Sequence, residues 1–247
     1  MFQPGSIALY TDFGSGDHYL GQLYSVICRH LGSFPVYELM NNAPRYNPKA
    51  ASYLLAAILK DVCERTIVVS VVDPGVGSER NALFIETNNH ILIGPDNGLL
   101  SMAVRFDPNA RVSVIDWRPE TLSNTFHGRD LFAPIAAMTI NGDDFETHSV
   151  DKSEMIGSDW ADDLYEIIHV DSYGNLITGI RAETISVDSL IDIEGNSVSQ
   201  ADTFSAVPVG SLLWYENSSG LIEIACNQGS AFDQINATVG STVTIGC

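Results

Sequence analysis

Through the first part of the chain the apolar positions switch repeatedly between two rhythms. Ile7–Thr11 is a short, nearly continuous apolar run, as in a buried strand. His18–Leu31 follows a 3.6-residue period. Leu20, Leu23, Tyr24, Ile27 and Leu31 share one face, which predicts an amphipathic helix. Val36–Met40 reads as a second strand. Pro48 opens a helix through Leu59, at a first-turn position where its missing N–H is tolerated. Ile67–Val72 is mostly β-branched with almost no polar break, the pattern of a strand covered on both faces. Ala82–Glu86 and His90–Gly94 predict a hairpin across Asn88-Asn89. Asn97–Arg105 reads as helix, Val112–Asp116 as strand, and Asp130–Ile140 as helix with Asp130 near its start. Strands alternating with helices imply a layered α/β fold.

From 146 to 163 the rhythm dissolves into ETHSVDKSEMIGSDWADD, a polar and acidic stretch that reads as a linker. Beyond it the helical period stops. Leu164–Val170, Leu176–Ile180, Leu190–Ile193, Ser211–Tyr215, Leu221–Ala225 and Thr242–Ile245 read as short strands separated by Gly, Asn, Ser and Asp turns. The expected organisation is an N-terminal α/β domain with a mostly parallel sheet, residues 1–155. A smaller, all-β, barrel-like domain, residues 156–247, follows it.

Composition narrows the classes. The 247 residues are 45% hydrophobic and 17% charged, which is a globular balance. Twelve basic against 31 acidic residues leave a net charge of −19, which argues against nucleic-acid and anionic-membrane partners. No apolar run approaches the ~20 residues of a membrane-spanning helix. The N-terminus lacks a basic segment before its apolar run, so a cytoplasmic protein is expected. Cys28, Cys63, Cys226 and Cys247 form no C-x-x-C pair, and Cys28 and Cys63 are expected as small core residues. The six histidines are scattered, and no metal site is expected.

Polar, glycine-containing clusters fall just after the predicted strands, where open α/β sheets usually bind ligands. They are Thr11-Asp12-Phe13-Gly14, Asp73-Pro74-Gly75-Val76-Gly77-Ser78-Glu79-Arg80, Gly94-Pro95-Asp96-Asn97-Gly98 and Thr125-Phe126-His127-Gly128-Arg129-Asp130. Asp171-Ser172-Tyr173-Gly174-Asn175 lies in the β-region. Taken singly, each has an ordinary explanation as a turn or cap. Dinucleotide, P-loop and G-x-S-x-G signatures are all incomplete or missing, which disfavours hydride transfer, nucleotide hydrolysis and serine-esterase chemistry.

Taken in order, the clusters resemble the S-adenosyl-L-methionine (SAM) hydroxide adenosyltransferases, or SAM hydrolases, relatives of the fluorinase and chlorinase enzymes. The resemblance is carried by TDFGSGDHYLGQL, VVDPGVGSER, GPDNGLL, TFHGRDLFAPIAA, VDSYGNLITGI and NSSGLIEIACNQGSA, nearly the whole chain. It implies a homotrimer whose sites form between the N-terminal domain of one subunit and the C-terminal domain of its neighbour. It implies catalytic roles for Asp73, Arg80 and His127, a ribose contact at Asp12 and an aromatic wall at Tyr46; Phe126 is expected as a further substrate-binding residue. Asp171 is implied for the methionine amine, Asn175 for adenine, and Tyr173 as a stacking face. Trp214 or Tyr215 is implied as the adenine platform, and spacing alone does not choose between them. Ser218 is implied near the methionine carboxylate, although Ser219 stands where halogenase relatives carry Arg. Asn227 and its neighbours are implied to close the adenine pocket.

The expected reaction is hydrolysis of SAM to adenosine and methionine by water attack at the ribose 5′ carbon, with no cofactor. Val76 and Gly128 stand where the fluorinase has halide-binding Thr and Ser, so a bare halide would be desolvated without compensation. A SAM-dependent halogenase and a non-catalytic SAM or adenosine binder are the alternatives.

Overall fold

The computed structural model describes residues 3–246; Cys247 lies outside them. The chain divides into two compact units. One holds the residues up to Ala56 together with Val62–Trp160, the other Ala57–Asp61 and the residues from Ala161 onward.

The first unit is built on β1 (Ser6–Thr11), α1 (Tyr19–Leu31), β2 (Val36–Met40), α2 (Pro48–Ile58), β3 (Thr66–Val71), β4 (Ala82–Glu86), β5 (His90–Pro95), α3 (Ser101–Arg105), β6 (Arg111–Ile115), α4 (Ala133–Asn141) and β7 (Thr147–Val150). Its seven-stranded sheet has the order β2-β1-β3-β5-β4-β6-β7. β1 pairs in parallel with β2 and β3, and β3 with β5, while the pairs of β4 and of β7 are antiparallel. The helix pattern works as expected. Leu20, Leu23 and Ile27 of α1 are buried with Phe132, Ala133, Ile135 and Ala136 over one face of the sheet. Every residue of β3 is buried, which explains its unbroken β-branched run. β1 is followed by β2 on one side and β3 on the other, so the chain order reverses beside β1. That is the switch point where such sheets open a crevice at their carboxyl ends.

Several expectations need correction. The helix expected at Asn97–Arg105 begins only at Ser101. The Asn97 side chain accepts from Leu99 N–H and donates to the Val72 carbonyl, and Gly98 has φ +95°, which together hold the preceding turn. The helix expected from Asp130 starts earlier, as a single π-type turn over Gly128–Phe132 that runs into α4. The stretch read as a linker contains β7, an edge strand paired with β6. Its residues are almost all exposed, so it carries no apolar alternation to read. Cys28 and Cys63 are exposed, not core residues; Cys28 sits beside the buried stripe of α1, one position after Ile27.

The second unit contains β8 (Leu164–Val170), β9 (Leu176–Arg181), β10 (Leu190–Ile193), β11 (Asn196–Val198), β12 (Leu212–Glu216), β13 (Leu221–Cys226), α5 (Ala231–Ile235) and β14 (Thr244–Gly246). The sheets β12-β13-β9-β8 and β11-β10-β14 are antiparallel. Single bridges link Glu166 of β8 to Thr242 ahead of β14, and Trp214 of β12 to Gln200 beyond β11. The two sheets thereby join at both edges into a barrel-like ring around Ile167, Leu176, Ile191, Trp214, Ile222 and Ile224. The unit is not wholly β: α5 forms one turn-and-a-half capped by Ser230, whose Oγ accepts from Asp233 N–H at 3.1 Å. The short strand β11 also went unread in the sequence.

Candidate functional site

Two cavities collect the sequence-predicted residues, one in each unit. The first lies at the carboxyl ends of β1 and β3, has a volume of about 130 Å³, and is lined by Asp12, Tyr46, Asp73, Val76, Phe126, His127 and Gly128, among others. Asp12 directly follows β1, and Asp73 lies two residues beyond β3. Asp73 and Arg80 are paired and nearly buried, with side-chain exposures of 3% and 7%. Arg80 Nε donates to both carboxylate oxygens at 2.9 and 3.1 Å, and Nη2 donates to Oδ2. The same Nη2 lies 3.1 Å from His127 Nδ1. A guanidinium only donates, so His127 Nδ1 accepts and the neutral ring carries its proton on Nε2. Burial, then the Arg80 charge, lowers the His127 pKa below its ordinary value, which agrees with a neutral imidazole.

The two loops meet because of particular glycines. Gly77 has φ +83°, and a Cβ there would overlap the Asn124 carbonyl oxygen. Glycine therefore lets the Asp73–Arg80 loop lie against the segment leading to His127. A Cβ on Gly128 would sit 3.3 Å from Phe126 and 3.4 Å from Val71, tighter than ordinary packing. The cavity wall at 76 and 128 thus offers a valine side chain and no side chain at all.

Asp12 Oδ2 accepts a long bond, 3.4 Å, from Tyr46 N–H, and burial raises its carboxyl pKa above the ordinary carboxylate value. Tyr46 holds a left-handed backbone, φ +57°, and its side chain is 78% exposed at the cavity. Phe126 is packed edge-on against Phe13 and Tyr19, with Arg129 over its ring. Asn97, to which the sequence reading gave no role, braces the loop by donating to the Val72 carbonyl at 2.9 Å and reaching Asp73 Oδ1 at 3.5 Å. The GPDNG cluster was its only signal.

The second cavity, about 740 Å³, lies in the β-unit and is lined by Asp171, Tyr173, Asn175, Phe204, Tyr215 and Asn227, among others. Asp171 closes its own loop: Oδ1 accepts from Tyr173 and Asn175 N–H at 2.8 and 2.9 Å, and Oδ2 from Asn175 Nδ2 at 3.0 Å. Tyr173 is 79% exposed. Asn227 is buried and donates to the Val207 carbonyl at 2.8 Å. Strand alternation separates the two platform candidates. Trp214 points into the barrel core and donates to the Ser189 carbonyl at 3.1 Å, so it is not a wall of the cavity. Tyr215, on the opposite face, lines the cavity. Its hydroxyl donates to Glu223, a partner the sequence reading missed. Ser218 is exposed in the turn after β12 and is not part of the cavity lining.

Comparison with known proteins places this arrangement in a class. The family model for the SAM hydroxide adenosyltransferase N-terminal domain matches residues 7–149, and the model for its C-terminal domain matches residues 165–244. The chain belongs to the SAM hydroxide adenosyltransferase family. More particularly, it is 29% identical to the (R)-S-adenosyl-L-methionine hydrolase of Thermus thermophilus, over 95% of this chain and 97% of that one. It is also 29% identical to the enzyme of that name from Salinispora arenicola, over 97% of each chain. Among solved structures, an uncharacterized conserved protein from Thermotoga maritima superimposes with a TM-score of 0.82 at 26% identity, covering 98% of this chain and all of that one. A conserved hypothetical protein from Thermus thermophilus gives 0.77 at 29% identity, covering 99% and 100%. Among the described residues no helix is long and apolar enough to cross a membrane.

Proposed function

We propose that this protein hydrolyses SAM to adenosine and L-methionine, with water attacking the ribose 5′ carbon. The observation that carries the reading is the buried Asp73–Arg80–His127 constellation against a cavity at the sheet's switch point. The substrate's sulfonium makes C5′ electrophilic, and methionine departs as a neutral thioether, so no cofactor is required. The demanding part is the nucleophile. His127 Nε2–H donates to the water oxygen and Asp73 receives its proton as the C–O bond forms, a role worth typically ~10²–10⁴-fold. Placing that water in line with the C–S bond adds a proximity term. Arg80 orients the Asp73 carboxylate through its paired hydrogen bonds and favours hydroxide character at the same spot. The electron pair of the C5′–S bond stays with sulfur, and one proton is released overall.

Asp12 holds the ribose hydroxyls, with Tyr46 and Phe126 as walls. Tyr215 supplies the adenine platform, Tyr173, Asn175 and Asn227 surround the base, Asp171 meets the methionine amine, and Ser218 lies toward the carboxylate. The two groups of residues act together across neighbouring subunits of a homotrimer. The halogenase alternative is not favoured, because nothing at Val76 or Gly128 donates a hydrogen bond to a halide from its side chain.

The test is chromatography of the products after mixing purified protein with SAM. Adenosine and methionine are expected, and in ¹⁸O-water the label enters the 5′ hydroxyl. Unlabelled adenosine would overturn attack at C5′, intact SAM would favour a binding protein, and 5′-halo-adenosine in chloride or fluoride would favour a halogenase. Mixing an Asp73→Asn with a Tyr215→Ala protein at SAM concentrations below the wild-type KM, where each is weak alone, tests the shared site: recovery of activity is expected from mixed trimers.

A further inference from the structure

One acidic side chain of the β-unit has no part in the scheme above and is placed to shape it. Glu223 lies in the middle of β13, 7% exposed, directly opposite Tyr215 on β12. Among the described residues no cation forms an ion pair with it. A buried carboxylate costs several kcal/mol unless its oxygens are hydrogen-bonded, so such a group persists where it holds something. Its Oε1 accepts from the Tyr215 hydroxyl. Its Oε2 accepts from Asn217 Nδ2 at 3.1 Å. The orientation of Asn217 is fixed from the other end, because its Oδ1 accepts from the Ser219 and Leu221 N–H groups at 3.0 Å each. One carboxylate therefore fastens two things: the ring that lines the 740 Å³ cavity and the turn that carries Ser218.

We propose that Glu223 is a positioning residue for substrate binding, locking the Tyr215 ring and the Asn217–Gly220 turn into one arrangement before the ligand arrives. The inference rests on the reading of this cavity as the adenosine-binding half of a SAM-hydrolysing site. A flat apolar wall needs only Phe at 215. Tyrosine tethered to a buried acid instead removes the ring's freedom in advance, which lowers the ordering cost of stacking on it. The role is geometric, not a matter of charge. A Gln at 223 can accept from Asn217 with its carbonyl and donate with its amide to the Tyr215 hydroxyl, which is able to turn acceptor. The network survives that exchange and fails with an apolar side chain.

The experiment compares steady-state SAM hydrolysis, adenosine binding by calorimetry and melting temperature for the full chain and four variants. Glu223→Leu is expected to raise KM and the adenosine Kd about 10-fold with kcat within about twofold. Glu223→Gln is expected to stay within about threefold of wild type in both. Tyr215→Phe is expected to raise KM severalfold, and Tyr215→Phe with Glu223→Leu to be no worse than Glu223→Leu alone, since both break one unit. An unchanged KM in Glu223→Leu with only a lowered melting temperature would make the residue merely structural. A KM raised equally in Glu223→Gln would mean that its charge matters and not its geometry. Additive effects in the double variant would also overturn the proposal. If Glu223→Leu does not fold, Glu223→Gln and Tyr215→Phe still decide. If wild-type protein neither hydrolyses SAM nor binds adenosine, the functional reading itself fails and this proposal falls with it; wild-type activity with an unresponsive Glu223 sinks this proposal alone.

Discussion

The two cavities are made of different materials. The small one in the α/β unit has a buried ion pair and a neutral imidazole on two loops that meet at Gly77, and a carboxyl displaced from its ordinary pKa on a third loop after β1. The large one in the β-unit is walled by Tyr173, Phe204 and Tyr215, side-chain amides and a self-closed aspartate loop. The contrast is between groups whose protonation matters and groups whose shape matters. Proton transfer needs charges in a restricted, desolvated space. Recognition of a flat, neutral base needs area and a few fixed donors and acceptors. Substitutions of Asp73, Arg80 or His127 in the first cavity should therefore fall on kcat and those in the second on KM.

The sharpest test is Asp73→Asn, expected to lower kcat by about 10²–10⁴-fold with KM nearly unchanged in a product assay. Because it leaves the Arg80 charge buried and unpaired, a melting curve must accompany it. Next is Gly77→Ala. The added methyl overlaps the Asn124 carbonyl, so the loop must move, and a displacement near 1 Å is expected to cost up to about 10²-fold in kcat. In the other cavity, Tyr215→Ala is expected to raise KM about 10-fold and leave kcat nearly unchanged. A kcat effect equal to that of Asp73→Asn would erase the division of labour. Trp214→Phe, one residue away but on the core side, should leave KM alone and lower stability by about 1 kcal/mol, read by denaturant titration, as the Ser189 carbonyl loses its donor.

The smallest effect is one of pH. His127 titrates below the ordinary value of about 6.5, so it is neutral at pH 7 and above. As pH falls from about 6.5 toward its lowered folded-state pKa, the unfolded chain takes up protons that the folded one does not, and stability declines across that window. Below the folded-state pKa the ring is cationic, loses its acceptor for Arg80 and repels it, so kcat should fall severalfold on the acid side. His127→Asn should remove that limb from the pH–kcat profile. Its survival would assign the limb to another group, such as Asp12.

Much of this was legible in the residues alone. The 3.6-residue stripe of His18–Leu31 and the β-branched run of Ile67–Val72 state their burial directly, because periodicity records which face meets a core. β7 was not legible, because an exposed edge strand is held by backbone bonds to β6 and needs no apolar pattern. Cys28 misled because a thiol next to an apolar stripe looks like part of it, though a helix turns about 100° per residue. The clusters around Asp12, Asp73, His127 and Asp171 stood out as chemistry, but Asn97 beside Asp73 and Glu223 behind Tyr215 did not.

The sequence by itself determined most of the order of strands and helices, the two-part organisation and the residue types available for chemistry, because local periodicity and turn composition act over a few neighbouring residues. Only the tertiary structure decided that Arg80 serves both Asp73 and His127, that Tyr215 and not Trp214 faces the cavity, and that Glu223 braces it. Those facts depend on the register of β12 with β13 and on one loop docking against another. Contacts between residues 47 positions apart are fixed by packing and hydrogen-bond geometry, which no local pattern encodes.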